Sequence, residues 1–221
     1  MPEVIFPGPA GRIEGFYQPA KDKNAPLALL LHSHPRFGGS MNNPLILELA
    51  KIFSKRKMSV LRFNYRGVGR SQGEFDQGAG ELSDAATALD WMQLQNPDAG
   101  PCWVAGISFG AWIGMQLLMR RPEIIGFVTV APPANVYDFS FLAPCPSSGV
   151  VVHGEADQVA PLADVYRMVE RTRTQKGRKI EIATVPGANH FFEGKLDEFS
   201  ATVEKYVDRR LIEDKQPETA E

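Results

Sequence analysis

Cysteine and histidine are scarce in this chain: its 221 residues include two cysteines and four histidines. Cys102 and Cys145 stand at unrelated positions, which argues against the disulfide framework of a small secreted protein. A reduced compartment is the simplest assumption, so we predict a cytoplasmic location. Residues 1–7 lack the basic region and apolar core of a secretory signal, which agrees with that prediction.

An excess of charge of one sign and long hydrophobic runs are also missing. The 24 basic and 26 acidic residues give a net charge of −2, and no segment is rich in lysine or arginine. This balance gives no reason to expect nucleic acid or an anionic membrane as a partner. No apolar run reaches the length of a membrane span, so we predict no membrane-embedded segment.

Apolar runs and segments of helical periodicity alternate along most of the chain. The predicted strands cover residues 3–7, 11–18, 27–32, 58–64, 102–105, 124–130, 149–153 and 179–185. The predicted helices cover residues 44–55, 81–95, 111–119, 162–174 and 196–211. This alternation is typical of an α/β fold, with a mostly parallel sheet of about eight strands and helices on both faces.

The same pattern predicts one domain over residues 1–212 and a polar tail over 213–221 that we expect to be disordered. Neither a linker nor an internal repeat interrupts the domain. The segment 131–149 joins two predicted strands and is too short for a separate lid domain. We therefore expect an open crevice.

The pentapeptide Gly106–Gly110 follows an apolar run and precedes a helical segment. Its pattern, G-x-S-x-G, has the spacing of a nucleophile elbow, the sharp turn that presents a serine between a strand and a helix. We predict that Ser108 is a nucleophile. The Phe109 N–H, at the start of the helix, is the first predicted donor to an oxyanion. The alternative is a serine that only packs in a glycine-rich connection.

Asp157 follows another predicted strand, in the segment 152–161. Sites in open α/β folds lie at this carboxyl end of the strands, so we predict that Asp157 orients a catalytic base. Glu155 is the alternative acid. A structural alternative makes Asp157 the cap of the following helix, although Asp164 is an equally good candidate for that cap.

His190 lies in the loop 185–192, between the last predicted strand and the last predicted helix. With it, the chain carries a serine, an acid and a histidine in the order Ser108, Asp157, His190, each after a predicted strand. We predict that His190 is the general base. The alternative is a histidine at the surface or in the packing.

His34 belongs to the loop 31–40 after an early predicted strand, where a second oxyanion donor is expected. We predict the His34 N–H, since Pro35 has none. His32 and His34 are otherwise two loop histidines held by hydrogen bonds, or an H-x-H pair that binds a metal. No further His or Cys cluster joins them, so we predict no metal and no cofactor.

The glycine-rich loop 67–73 invites a nucleotide-binding interpretation. It lacks the lysine and the closing serine or threonine of G-x-x-x-x-G-K-[ST], so that interpretation is weak. We expect a turn beside the crevice instead.

Several motifs together resemble the α/β-hydrolase superfamily. Residues 63–71, F-N-Y-R-G-V-G-R-S, are similar to its D-x-R-G-x-G-x-S loop, with Asn64 in place of Asp. Residues 153–161, H-G-E-A-D-Q-V-A-P, are similar to its acid motif H-G-x-x-D-x-x-V-P. A small, lidless bacterial subgroup, similar to dienelactone hydrolases and to the core of X-prolyl dipeptidyl aminopeptidases, has loops that resemble those at residues 32–43, 131–135 and 187–192.

The resemblance covers residues 3–212 and implies an α/β-hydrolase fold without a lid domain, with Ser108, Asp157 and His190 as a catalytic triad. We expect a serine hydrolase that cleaves small carboxylic esters through an acyl-enzyme intermediate. A peptidase or thioesterase with the same triad is one alternative. A catalytically silent hydrolase fold that only binds is another.

The open crevice predicts small or surface-accessible acyl groups rather than interfacial lipolysis. Four phenylalanines in loops are candidates for the walls of the substrate pocket: Phe37, Phe139, Phe141 and Phe192. The expected partner is a small-molecule ester. The sequence carries no assembly signal, so the oligomeric state stays open, a homodimer included.

Overall fold

The computed structural model describes residues 2–173 and 179–213. Its strands are Glu3–Gly8 (β1), Gly11–Gln18 (β2), Leu27–Leu31 (β3), Ser59–Phe63 (β4), Cys102–Ile107 (β5), Ile124–Val130 (β6), Ser148–Gly154 (β7) and Ile180–Val185 (β8). Its helices are Pro44–Lys55 (α1), Ala79–Gln95 (α2), Phe109–Leu118 (α3), Leu162–Arg173 (α4) and Leu196–Glu213 (α5). Residues 214–221, most of the predicted polar tail, lie outside the described residues.

The eight strands form one sheet in the order β1-β2-β4-β3-β5-β6-β7-β8. β2 pairs antiparallel with β1 and β4, whereas every other neighbouring pair is parallel. β3 and β5 are buried along their whole length, which explains their continuous apolar sequence. The predicted α/β fold with a mostly parallel sheet is confirmed.

Helices cover both faces of the sheet, as the sequence predicts. α1 and α5 lie on one face, where Leu49 and Phe199 are fully buried. α2, α3 and α4 lie on the other face, with Leu89, Ile113 and Val165 in the core. The sheet is therefore the middle of three layers, and the connecting loops lie where its strands begin and end.

Two helix starts show how capping sets the boundaries. α1 begins as predicted, because the Asn43 side-chain oxygen accepts the Leu45 N–H at 2.9 Å. α2 begins at Ala79, earlier than predicted. The Glu81 carboxylate reaches back to the Gly78 N–H at 2.7 Å and satisfies a donor at the helix start, so the chain turns into the helix sooner.

The connection between β6 and β7, residues 131–147, holds no lid domain, and all of it is described. It contains a single 3₁₀ turn, Ser140–Leu142, which packs against α3 and α4. Phe139, which precedes the turn, and Leu142, its last residue, are both buried. The carboxyl edge of the sheet is thus left open, with loops from β3, β5, β7 and β8 around it.

Candidate active site

Ser108 stands in a strained turn between β5 and α3. Its φ of 52° and ψ of −115° are uncommon for a residue with a side chain, and such strain clusters at functional positions. A Cβ on Gly106 would lie 2.2 Å from the Gly110 carbonyl oxygen, and one on Gly110 would lie 2.2 Å from the Leu31 carbonyl oxygen. Only glycine fits at either position, and the start of α3 comes to lie against the end of β3.

The structure brings together the three residues that the sequence selects for catalysis. His190 Nε2 lies 3.1 Å from Ser108 Oγ, and His190 Nδ1 lies 2.7 Å from Asp157 Oδ2. The three side chains follow β5, β7 and β8, neighbours or near neighbours at one edge of the sheet. Because a carboxylate only accepts, Nδ1 carries the hydrogen, which leaves Nε2 to accept the serine proton.

Asp157 is held as an anion by several donors. Its Oδ1 accepts the N–H groups of Val159 at 2.8 Å and Ala160 at 2.9 Å. Burial acts to raise the pKa of Asp157, but the hydrogen bond from His190 and those from the backbone outweigh it, so the pKa lies below its usual range. Asp157 therefore orders its own loop as well as orienting His190.

The alternative acid is placed elsewhere. The exposed Glu155 accepts a hydrogen bond from Thr184 Oγ1 at 2.8 Å. Asp164 lies in the first turn of α4 and forms an ion pair with Arg167. The geometry therefore selects Asp157 as the partner of His190.

A buried histidine lies behind the Asp157 loop. His153, fully buried at the end of β7, donates from Nε2 to the Ala160 carbonyl at 2.8 Å, and the same nitrogen is 3.5 Å from Asp157 Oδ2. Its Nδ1 is buried without a hydrogen-bond partner among the described residues. Burial lowers the pKa of His153, which keeps the ring neutral.

A second buried histidine fixes the loop after β3. His32 Nδ1 donates to the Ser33 carbonyl at 2.7 Å, and His32 Nε2 accepts the Tyr65 N–H at 3.2 Å. Burial lowers the pKa of His32 to about 4, so the ring is neutral. A peptide unit is planar and trans, so fixing the Ser33 carbonyl also fixes the opposite direction for the His34 N–H.

The two predicted oxyanion donors are the N–H of Phe109, at the start of α3, and the N–H of His34, in the loop after β3. In the part of the chain that the structure describes, neither N–H donates a hydrogen bond. The rings of the two residues are 5.0 Å apart, and Gly39 packs so closely that a Cβ there would lie 2.1 Å from the Ser33 carbonyl oxygen. Two unpaired donors beside the serine match the requirement of an oxyanion hole.

The metal-binding alternative for the H-x-H pair finds no support in these contacts. Both ring nitrogens of His32 are engaged, and His34 Nδ1 accepts the Arg36 N–H at 3.1 Å. Within residues 2–173 and 179–213, no three His, Cys, Asp or Glu side chains form a group that could hold a metal ion.

The glycine-rich loop 67–73 packs against β2 rather than forming a nucleotide cradle. A Cβ on Gly69 would lie 2.0 Å from Glu14 Oε1, and the same oxygen accepts hydrogen bonds from Asn64 Nδ2 and from the Arg70 N–H. This network also holds the loop after β3, because Asn64 Oδ1 accepts the Met41 N–H at 2.8 Å. Asn64 thus uses both ends of its amide, which an aspartate could not do.

Ser108 opens into a cavity of about 220 Å³ at the carboxyl edge of the sheet. Its described lining residues are Ser33, His34, Phe37, Asn43, Leu45, Ile107, Ser108, Val159, His190 and Phe191. The floor is apolar and buried, and none of these side chains is acidic. The arrangement can activate a serine beneath an apolar pocket with an open mouth.

Of the four predicted wall residues, Phe37 lines this cavity and the other three do not. Phe192, which has a φ of 54°, is 1% exposed and packs on Phe199 of α5. Phe139 lines a separate cavity of about 280 Å³, beside α4. Phe141 packs on Phe139, with ring centroids 6.1 Å apart.

The sequence reasoning missed Phe191 and Val159, which line the mouth of the cavity. Phe191 is next to His190, and Val159 is two residues after Asp157. This proximity to predicted catalytic residues was the available signal. Asn43 and Leu45 were missed because they lie at the start of α1, where a capping asparagine and an apolar helix residue have ordinary structural roles.

Within the described residues, the helices are all too short or too polar to cross a membrane.

Comparisons with known proteins place the chain among hydrolases. The family model described as serine aminopeptidase, S33, matches residues 38–148. A solved protein of unknown function from Agrobacterium tumefaciens is 64% identical, with a TM-score of 0.95 over 98% of this chain and 100% of that one. A solved α/β serine hydrolase without a lid from Xanthomonas campestris is 29% identical, with a TM-score of 0.84 over 94% of each chain.

A sequence relative of known activity is more distant. The lysophosphatidylserine lipase of Rattus norvegicus is 24% identical over 82% of this chain. The chain spans 54% of the length of that protein.

Proposed function

This chain belongs to the serine aminopeptidase S33 family of α/β hydrolases, and we propose that it cleaves carboxylic esters through an acyl-enzyme on Ser108. The observation that carries the proposal is the continuous hydrogen-bonded relay from Ser108 Oγ to His190 and on to Asp157, with distances of 3.1 and 2.7 Å. Such a relay is the geometry of an activated serine nucleophile.

In the proposed first half-reaction, His190 Nε2 takes the proton of Ser108 as Oγ attacks the ester carbonyl. Asp157 holds the ring and stabilises its charged form. The N–H groups of Phe109 and His34 bind the negative oxygen, a contact of a kind that lowers the barrier by about 3 kcal/mol per donor. The C–O bond to the alcohol then breaks, and the alcohol leaves with the proton from His190.

The second half-reaction reverses the roles with water. His190 takes a proton from a water molecule, which attacks the acyl carbonyl. The bond from the acyl carbon to Ser108 Oγ breaks, His190 returns the proton to Oγ, and the acid leaves.

Peptide hydrolysis is a weaker proposal than ester hydrolysis for this pocket. A peptidase that reads a free amino terminus needs a carboxylate near the serine, and none of the described lining residues of the cavity is acidic. The similarity to a lipase, an enzyme that cleaves esters, also favours the ester.

The test measures hydrolysis of p-nitrophenyl butyrate by the wild type, Ser108→Ala and the control Ser83→Ala, which alters an exposed serine on α2. We expect Ser108→Ala to lose at least about 10⁴-fold in kcat, because triad residues act as a unit, while Ser83→Ala keeps the wild-type rate. A fluorophosphonate probe should label the wild type and Ser83→Ala only. Equal rates for all three proteins, or no labelling of the wild type, would overturn the proposal.

A further inference from the structure

Four large apolar side chains are exposed on the loops at the carboxyl edge of the sheet, three of them at the Ser108 cavity and one beside it. Phe37 is 85% exposed, Val136 65%, Phe191 57% and Val159 51%. They lie on the loops after four different strands, β3, β6, β8 and β7, and we call them the apolar rim. Among the described residues, the other exposed large apolar side chains are scattered over β1 and the helices: Ile5, Leu94, Tyr166 and Ile212. Isolated exposed apolar residues need no explanation, but a contiguous group marks a binding surface.

The rim side chains are held in their exposed positions by backbone hydrogen bonds. The Phe37 N–H donates to the His34 carbonyl at 3.1 Å, and the Phe191 N–H donates to Asn189 Oδ1 at 3.0 Å. The Val159 N–H donates to Asp157, so this rim residue shares its turn with the catalytic acid. The exposure of the rim side chains therefore follows from the backbone conformation of the loops that carry the catalytic residues.

Three of the four rim residues line the same cavity as Ser108 and His190. Anything that covers them in the productive complex must also present a bond to Ser108. The occupant is therefore the substrate itself. Because the cavity floor, at Leu45 and Ile107, is apolar as well, the matching part of the substrate is a hydrocarbon chain.

Val136 extends this surface beyond the cavity. It does not line the cavity, but its neighbour Asn135 donates from Nδ2 to the Val159 carbonyl at 3.0 Å. This hydrogen bond joins the loop after β6 to the loop after β7 and places the two valines on adjoining turns. A substrate chain that leaves the cavity beside Val159 therefore has the loop of Val136 as its neighbour.

We propose, resting on the ester hydrolysis proposed above, that the preferred substrates are esters with a long unbranched acyl chain. The inner methylenes fill the cavity, and the outer methylenes lie across the apolar rim. The rim thus sets chain-length selectivity and replaces the cover that a lid domain would provide. This differs from the sequence expectation of small acyl groups, because the sequence does not show that three of these side chains line one cavity with Ser108.

The test compares kcat/KM for p-nitrophenyl acetate, butyrate, octanoate and dodecanoate, each kept below its aggregation concentration. Burial of a methylene favours binding by up to about fourfold, so partial cover predicts about a tenfold rise from butyrate to octanoate in the wild type. The variants are Phe37→Ser and Val136→Ser in the rim, with Leu94→Ser as a control that alters an equally exposed apolar residue on α2.

We expect the dodecanoate-to-butyrate ratio of kcat/KM to fall about tenfold in Phe37→Ser, which truncates a whole ring. In Val136→Ser it should fall about threefold, and the loss should appear with dodecanoate before octanoate, since Val136 lies outside the cavity. Leu94→Ser should keep the wild-type ratio. A wild-type rate that is flat or falling with chain length, or rim variants with the wild-type ratio, would overturn the proposal.

Two further measurements separate other occupants and the underlying function. Flotation with phosphatidylcholine vesicles that is lost in Phe37→Ser would assign the rim to a lipid surface instead. Sedimentation that shows a dimer in the wild type and a monomer in Phe37→Ser would assign it to a second copy. Either result overturns the proposed role. Failure of the esterase itself looks different, since Ser108→Ala then retains the wild-type rate on every ester.

Discussion

The loops after β3 and after β7 are organised in the same way and differ in one detail. Each is anchored by a fully buried, neutral histidine at or next to the strand end, which donates to a carbonyl of the loop: His32 to Ser33 and His153 to Ala160. His32 uses its second nitrogen as well, whereas Nδ1 of His153 has no hydrogen-bond partner among the described residues.

The difference follows from what each loop has to hold. The loop after β3 contributes a backbone N–H, whose direction depends on one peptide plane, so both ring nitrogens of its histidine are committed. The loop after β7 contributes the side chain of Asp157, which is fixed by its own hydrogen bonds to Val159 and Ala160. His153 supports a loop that already has a second anchor.

The largest expected effect tests the acid loop. Asp157→Asn should lower kcat on p-nitrophenyl butyrate by about 10³–10⁴-fold, because the amide cannot hold His190 in the required tautomer. Glu155→Gln, which alters the nearby exposed acid, should stay within about threefold, since its partner is Thr184. Steady-state kinetics check both. A larger loss in Glu155→Gln than in Asp157→Asn would contradict the assignment.

The next effect tests the loop after β3. His32→Leu should lower kcat by about 10–100-fold with little change in KM, because the Ser33–His34 peptide loses its anchor and the His34 N–H loses its alignment. His32→Asn can still donate to the Ser33 carbonyl and should recover most of the rate. Equal activity of His32→Leu and His32→Asn would contradict a role of His32 in fixing the Ser33–His34 peptide.

A third prediction uses the pKa of His32 as a measure of stability. In the unfolded chain His32 has its ordinary pKa of 6.5, whereas in the folded chain burial lowers the pKa of His32 to about 4. Between these values the unfolded state carries more protons, so stability falls as the pH falls. From pH 7 to pH 5 this group alone should cost about 2 kcal/mol. Urea unfolding should show that His32→Asn loses less than the wild type over this interval, and an equal loss would refute the account.

The smallest effect concerns the outer anchor of the acid loop. Asn135→Ala removes the hydrogen bond to the Val159 carbonyl, which is exposed to water. We expect a loss of about 1 kcal/mol or less in the free energy of unfolding, as for a single hydrogen bond. Urea unfolding at pH 7 measures it. A loss above about 2 kcal/mol would mean that the acid loop depends on its neighbour as much as on Asp157.

Most of the fold could be read from the sequence because its signals are local. Buried strands appear as continuous apolar runs, and the glycines of the elbow are required because a Cβ at either position would lie 2.2 Å from a carbonyl oxygen. The three relay residues could be found for a related reason: in a parallel sheet, residues that follow neighbouring strands meet at one edge. The position of a residue just after a strand in the sequence then predicts that it lies at that edge of the sheet.

Most of the residues that line the pocket could not be predicted in this way, Phe37 being an exception. Phe191 and Phe192 are neighbours in the sequence, yet one lies at the mouth and the other is buried against α5. Phe192 also has a positive φ, a backbone turn that no residue pattern indicates. Asn64 is a similar case, since its replacement of the usual aspartate makes sense only beside the Glu14 carboxylate.

The division of the apolar rim among four loops has a consequence for how the substrate preference of such a protein can evolve. Each loop leaves a different strand and carries one rim side chain, so a substitution alters one part of the rim and leaves the side chains of the relay in place. Gly106 and Gly110 allow no such freedom, because any added carbon meets backbone. Directed evolution of new substrate preferences should therefore randomise positions 37, 136, 159 and 191 and leave the elbow intact. Divergence among natural descendants of this chain is expected to follow the same division.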